Sequence, residues 1–119
     1  MSKPSSRSPI TTHVLDLSTG LPASDIHVRL DELRHNVFQP IAKSKTNSDG
    51  RVEDLLPVSQ EIATGTYKLI FITGEYFKSR GETSFYPTVE ITFNITDATR
   101  HHHVPLLLSP FGYSTYRGN

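Results

Sequence analysis

Apolar and polar residues alternate along this chain in short runs, and clusters of Gly, Pro, Asn, Asp and Ser separate the runs. A period of two is the signature of half-buried strands, whose successive side chains point to opposite faces. The first run is "ITTHVLD" at residues 10–16, closed by the turn-forming "STGLPASD". "IHVRLDEL" and "VFQPIAKSKT" follow, and the tight turn "NSDG" leads into "RVEDLL". The run richest in β-forming residues is "GTYKLIFIT" at 65–73, after which "EYFKSRG" predicts a helix of one or two turns. "TVEITFNI" alternates cleanly, and the last runs are "HHHVPLLLS" and "FGYSTYRG". A single sheet of so many strands would leave an apolar face in water, so the expected fold is all-β: a two-sheet β-sandwich of about eight strands with one short helix.

The alternation also sorts side chains by face. In the penultimate run Val104, Leu106 and Leu108 share the core face, with His102 at its rim, while His101, His103, Pro105 and Leu107 share the other. In the first run Thr12 and Val14 oppose His13 and Leu15. Pairing of the two runs would set His13 beside His103 on a face outside the core. That face would expose Leu15, Leu107 and Pro105 among histidines, the character of an interface or a ligand groove. Pro105 is in tension with a strand interior, because it offers no ladder N–H.

Length and charge narrow the partners. The 119 residues suffice for one domain, expected over residues 10–119 behind a disordered arm at 1–9. Lys plus Arg and Asp plus Glu both total 12 and are scattered, so no long-range field favours nucleic acid or an acidic membrane. Without cysteine there are no disulfides, thiolate metal sites or cysteine nucleophile. "MSKPSSRSPI" lacks the apolar centre of a secretory signal and "RGN" is not the peroxisomal tripeptide. The expectation is a cytoplasmic protein, with peroxisomes open to a signal of another kind.

Three readings of the histidine run remain open on spacing alone. His101 and His103, about 6.6 to 7 Å apart along a strand, could join His13 as three zinc nitrogens, although no carboxylate is evidently placed to support them. The run could be a solvated strand start, the commoner fate of clustered histidines. Or it could do acid/base work, with Arg100 and the neighbouring imidazoles holding a histidine neutral near pH 7.

Longer motifs add a resemblance. "TTHVLD", "KTNSDGR", "GTYKLIF" followed by "YF", and the ending "HHHVPLLLSPFGYSTYRGN" are similar to the 5-hydroxyisourate hydrolases, the enzyme branch of the transthyretin-like proteins, from about Ile10 onward. That family typically ends in His-Tyr-His, a proline-leucine run, then Tyr-Gly-Tyr-Ser-Thr-Tyr-Arg-Gly-Ser. The resemblance implies two four-stranded sheets and a homotetramer, a dimer of dimers with active sites at the dimer–dimer interface. It implies hydrolysis of 5-hydroxyisourate to 2-oxo-4-hydroxy-4-carboxy-5-ureidoimidazoline in urate breakdown, with neither metal nor cofactor. It assigns catalysis to His13, Arg51 and His103, and substrate contacts to Tyr116, Arg117, Gly118 and Asn119, with Ser114 lining the channel. Two residues depart from the pattern: His102 stands for tyrosine on the core face, and Asn119 for the terminal serine.

Plainer readings stand beside these. Arg51 could be a solvated turn residue and Arg117 a frayed charge; Ser109 precedes a proline, and neither it nor Ser114 has the glycine-flanked elbow of a nucleophile. "NIT" at Asn94 matches a glycosylation acceptor, without a secretory signal to give it meaning. The alternative function is a non-catalytic carrier of the hormone-binding kind found in the same superfamily. Such a channel needs apolar walls, against which His13, Arg51 and His103 argue.

Overall fold

The computed structural model describes residues 7–119. Nine strands and one helix follow in the order β1 (Ile10–Asp16), β2 (Leu21–Pro22), β3 (His27–Arg34), β4 (Val37–Lys45), β5 (Arg51–Val52), β6 (Gly65–Phe71), α1 (Thr73–Ser79), β7 (Val89–Ile95), β8 (His102–Ser109) and β9 (Gly112–Thr115). They form two sheets, β2-β1-β8-β9 with β5 also paired to β1, and β4-β3-β6-β7. The two-sheet sandwich with one short helix is therefore as expected, with β2 and β5 added as two-residue strands. Of "RVEDLL" only the first two residues pair, while Leu55 and Leu56 are buried in irregular backbone. No helix among the described residues is long and apolar enough to cross a membrane.

Period-two patterning builds the core between the sheets. Val14, Val104, Leu106 and Leu108 from one sheet meet Val28, Leu30, Leu69, Phe71, Val89 and Ile91 from the other in one buried cluster. The β3–β4 hairpin turns through His35 and Asn36, whose φ values of 51° and 64° are both left-handed, the turn whose twist suits a two-residue hairpin. Pro40 lies on the edge strand β4, where a missing donor breaks no ladder.

The arm expected over residues 1–9 falls, for residues 1–6, outside the described residues. Within its last part Ser8 and Pro9 are buried, and the Pro9 carbonyl accepts the His102 N–H at 2.9 Å.

β1 and β8 run parallel, with Thr11 opposite His103, His13 opposite Pro105 and Leu15 opposite Leu107. The histidine faces were read correctly, but His13 lies two places further along the pair than His103. Pro105 is accommodated by the parity of the strand. The N–H of His102 and the carbonyl of Leu108 face β1, whereas the carbonyl of His103 faces the other way, to the N–H of Gly118 at 2.8 Å. Pro105 shares the parity of His103, so its missing donor falls where β9 has already ended at Thr115. Its carbonyl is satisfied by Thr115 Oγ1 at 2.7 Å. The outer face is also less open than the alternation implies: Leu15 and Leu107 are half-buried, and Pro105 is buried.

A carboxylate ties α1 to the first strand. Asp16 is fully buried and accepts Tyr76 Oη at 2.8 Å and the Ser18 N–H at 2.9 Å. Burial pushes its carboxyl up, but the bonds from Ser18 and Tyr76 prevail and hold it below the ordinary value. A depressed folded pKa stabilises the fold above the unfolded value of about 3.9 and ceases to do so as pH falls through the folded one. Tyr76→Phe removes one donor to this charge and is expected to cost about 1.5 to 3 kcal/mol in urea unfolding. Its acid-unfolding midpoint is expected to move to higher pH, read by circular dichroism.

Candidate active site

The site is assembled on the outer face of β1 and β8 by two pieces of irregular chain. The first is the turn ahead of β5. Asn47 Oδ1 accepts the N–H groups of Asp49 and Arg51 at 2.9 and 3.0 Å, an Asx-type closure. Gly50 has φ +73°, and a β-carbon there would lie 2.5 Å from the Val14 carbonyl oxygen, so only glycine allows this approach. The Gly50 carbonyl then accepts the Val14 N–H at 2.8 Å. With that anchor, Arg51 stands directly opposite His13 in an antiparallel pair, and their side chains share a face.

The second piece is the tail after β9. Gly118 forms an isolated bridge with His103, and a β-carbon on it would come within 2.6 Å of His103 Cδ2. The tail therefore lies against the catalytic-candidate ring itself, and that ring needs a glycine beneath it.

Between these pieces lies a cavity of about 290 Å³ whose wall includes Thr11, Arg51, Glu53, Asp54, His101, His103 and Asn119. It brings together Arg51, His103 and Asn119 of the expected set. His13 stands beside Arg51 but is not part of the wall. Gly118 acts through its backbone, while Tyr116 and Arg117 line a neighbouring hollow of about 270 Å³ that His103 shares with His102, Phe93 and Ile91, and Arg117 also borders His101 and Asn119. Ser114 is exposed on β9 opposite Leu107, four residues along β8 from His103, or about 13 Å. The structure thus separates Ser114 from the histidines. The buried His102 carries an Nδ1 without a hydrogen-bond partner among the described residues.

One residue that the motifs did not single out, Thr11, completes the cluster by joining His101 to His103. Thr11 Oγ1 lies 2.9 Å from His101 Nε2 and 2.8 Å from His103 Nδ1, and His101 Nδ1 lies 2.7 Å from the Ser8 carbonyl. The two imidazoles are nearly parallel, with centroids 6.4 Å apart. Alternation alone placed Thr11 on the histidine face, but nothing in its type distinguishes it from other strand threonines.

All three imidazoles are held below the ordinary histidine value. For His103 the causes are burial and then the neighbouring His101, Arg51 and His13. For His13 they are burial and Arg51, opposed by Asp49, and for His101 burial, opposed by the Ser8 carbonyl. Neutral imidazoles beside a permanent guanidinium make a site with proton acceptors and a fixed cation, suited to water activation and to stabilising a developing anion. Among the described residues no three His, Cys, Asp or Glu side chains converge as a set able to hold a metal ion.

Fold and site together define a transthyretin-type sandwich that carries a polar cleft of imidazoles and arginine on one sheet. Residues 10–118 match the HIUase/Transthyretin family model, and the chain belongs to that family. It is 54% identical over 114 residues to 5-hydroxyisourate hydrolase of Mus musculus, covering 94% of this chain and 96% of that protein. The solved 5-hydroxyisourate hydrolase of Klebsiella pneumoniae superposes with a TM-score of 0.80 at 35% identity, over 94% of this chain and all of that one. Sea bream transthyretin in complex with thyroxine superposes with a TM-score of 0.87 at 28% identity, over 93% of this chain and 95% of that one.

Removing the cation should release the imidazole beside it. In Arg51→Met, the titration midpoint of His13, followed by NMR, is expected to rise toward the ordinary value of about 6.5. An unchanged or lower midpoint would contradict the pairing described here.

Proposed function

We propose that this chain hydrolyses 5-hydroxyisourate, opening the ring at an amide. The observation that carries the reading is the cleft in which His103, Arg51 and the tail meet, supported by relatives of that name that align over nearly the whole chain. Water adds to the ring carbonyl carbon while its proton passes to an imidazole. The carbon–nitrogen bond then breaks and that proton is returned to the leaving nitrogen, giving a carboxyl group and an N–H. His103, on the cavity wall, takes the proton. Arg51 meets the negative charge that grows on the carbonyl oxygen, as a fixed cation set where charge develops. His13, beside Arg51, helps to position the water and carry the proton. Asn119 offers both a donor and an acceptor at the cavity wall, so it can bond to ring N–H and carbonyl groups in the place of a shorter serine.

Assembly belongs to the same proposal. Leu17, Leu21, Phe111 and Tyr113 are exposed around the outer sheet, an apolar rim suited to a second copy of the chain. A homotetramer with its sites between dimers would close the open side of the cleft and bring in Ser114, Tyr116 and Arg117 from a neighbouring edge.

The likeness to a thyroxine-bound transthyretin favours a second reading, a carrier of apolar ligands. Such a ligand would strip water from Arg51, Glu53 and Asp54 without replacing their hydrogen bonds, a cost of kcal/mol order per group. The polar wall therefore weighs toward the enzyme.

Disappearance of the ultraviolet absorbance of freshly generated 5-hydroxyisourate tests the reading directly. His103→Ala is expected to lower kcat/KM by about 10² to 10⁴-fold while leaving the far-ultraviolet circular dichroism unchanged. Wild-type turnover is expected to survive a chelator. A fully active His103→Ala protein would sink the assignment, and activity abolished by chelator would transfer it to a metalloenzyme.

A further inference from the structure

We propose that Thr11 and His101 are positioning residues that fix the tautomer of His103, holding the proton on Nδ1 and leaving Nε2 as the base. The inference deepens the hydrolase reading and rests on it for its catalytic meaning. Its geometry stands on its own.

One chain of hydrogen bonds starts from a group whose role is beyond choice. The Ser8 carbonyl can only accept, so His101 Nδ1, 2.7 Å away, must be the donor. A neutral His101 then presents a lone pair at Nε2. The only hydrogen Thr11 can offer goes to that lone pair, 2.9 Å distant. Having spent its hydrogen there, the Thr11 oxygen faces His103 with lone pairs alone. Across 2.8 Å it can only accept, so His103 Nδ1 carries the proton. Neutral His103 is thereby left with an unprotonated Nε2, which has no hydrogen bond among the described residues and belongs to the ring on the cavity wall.

Each link is held by structure rather than by chance orientation. Thr11 is only 7% exposed and lies directly opposite His103 in the parallel pair, so water competes poorly for its hydroxyl. Ser8 is fully buried just ahead of β1, which fixes the first acceptor. Both rings are nearly parallel, and each turns one nitrogen to the same hydroxyl. A free imidazole in water favours the opposite tautomer, with the proton on Nε2, and in that form His103 would present an N–H where the attacking water needs a base. Which nitrogen is protonated is set by the bond that the other makes. Here that bond is set two residues away.

Two measurements test this. Long-range proton–nitrogen correlation spectra of the substrate-free wild-type protein at neutral pH are expected to show His103 with protonated Nδ1 and unprotonated Nε2. In Thr11→Val and His101→Phe the pattern is expected to shift toward the Nε2–H form. Their kcat is expected to fall about 10- to 100-fold with KM changed less than about threefold, the scale on which groups that orient a histidine act. Thr11→Ser, which keeps the hydroxyl, is expected to recover most of the loss and the wild-type nitrogen pattern. A wild-type His103 in the Nε2–H form overturns the proposal, as does a Thr11→Val protein with undiminished kcat. The nitrogen pattern is read without substrate, so a protein that fails to turn over 5-hydroxyisourate would sink the hydrolase reading and leave the tautomer question separately answered.

Discussion

Everything distinctive about this molecule depends on the parallel pairing of β1 with β8. That ladder puts Thr11 against His103, His13 against Pro105 and Leu15 against Leu107, and so lays out an entire face of the outer sheet in one register. The inner face of the same two strands supplies Val14, Val104, Leu106 and Leu108 to the core. Because side chains alternate strictly, a slip of one residue would send His103 inward and Leu106 to water. Core burial thus enforces the parity on which the cleft relies, and the polar site is registered by apolar contacts on the opposite side of the sheet.

Around that pair the irregular segments act as clamps. The turn at Asn47 and Gly50 is pressed onto β1 closely enough to exclude a β-carbon, and in doing so it delivers a guanidinium to an imidazole. Gly118 does the corresponding work from the other side, against His103. At both places the absence of a β-carbon lets charged or titratable side chains be brought close. The buried Asp16, bonded to Tyr76, fixes the far end of β1 against α1.

Much of this could be read along the chain, and the parts that could not have definite physical causes. Alternation in "HHHVPLLLS" assigned Val104, Leu106 and Leu108 to the core and the odd-numbered residues to the outer face, since burial on one side leaves a period of two. Register is a different quantity. A shift of two residues preserves every face, so nothing in the pattern separates His13 beside His103 from His13 beside Pro105. "RVEDLL" is apolar enough for a strand, yet Leu55 and Leu56 are buried by the packing of a loop, and an apolar run does not distinguish the two. The tail motif named Tyr116, Arg117, Gly118 and Asn119 but could not convey that Gly118 packs through its lack of a side chain, or that Ser114 stands about a dozen ångströms from His103. Thr11 was silent because its importance lies in two bonds that exist only after both strands are in place.

The separation in sequence of those partners has a consequence for how the molecule comes into being. Thr11 and His103 are 92 residues apart, and the pair they belong to is parallel, so neither a hairpin nor any local turn can bring them together. Contacts of such high order are made late, after the loop-closure entropy of nearly the whole chain has been met. The β3–β4 and β6–β7 pairings, by contrast, join neighbours along the chain or strands separated only by α1. A nascent chain can therefore build one sheet in advance, while the cleft waits for β8 and the tail to reach β1. A form of the protein without that ladder holds the histidines without holding a site.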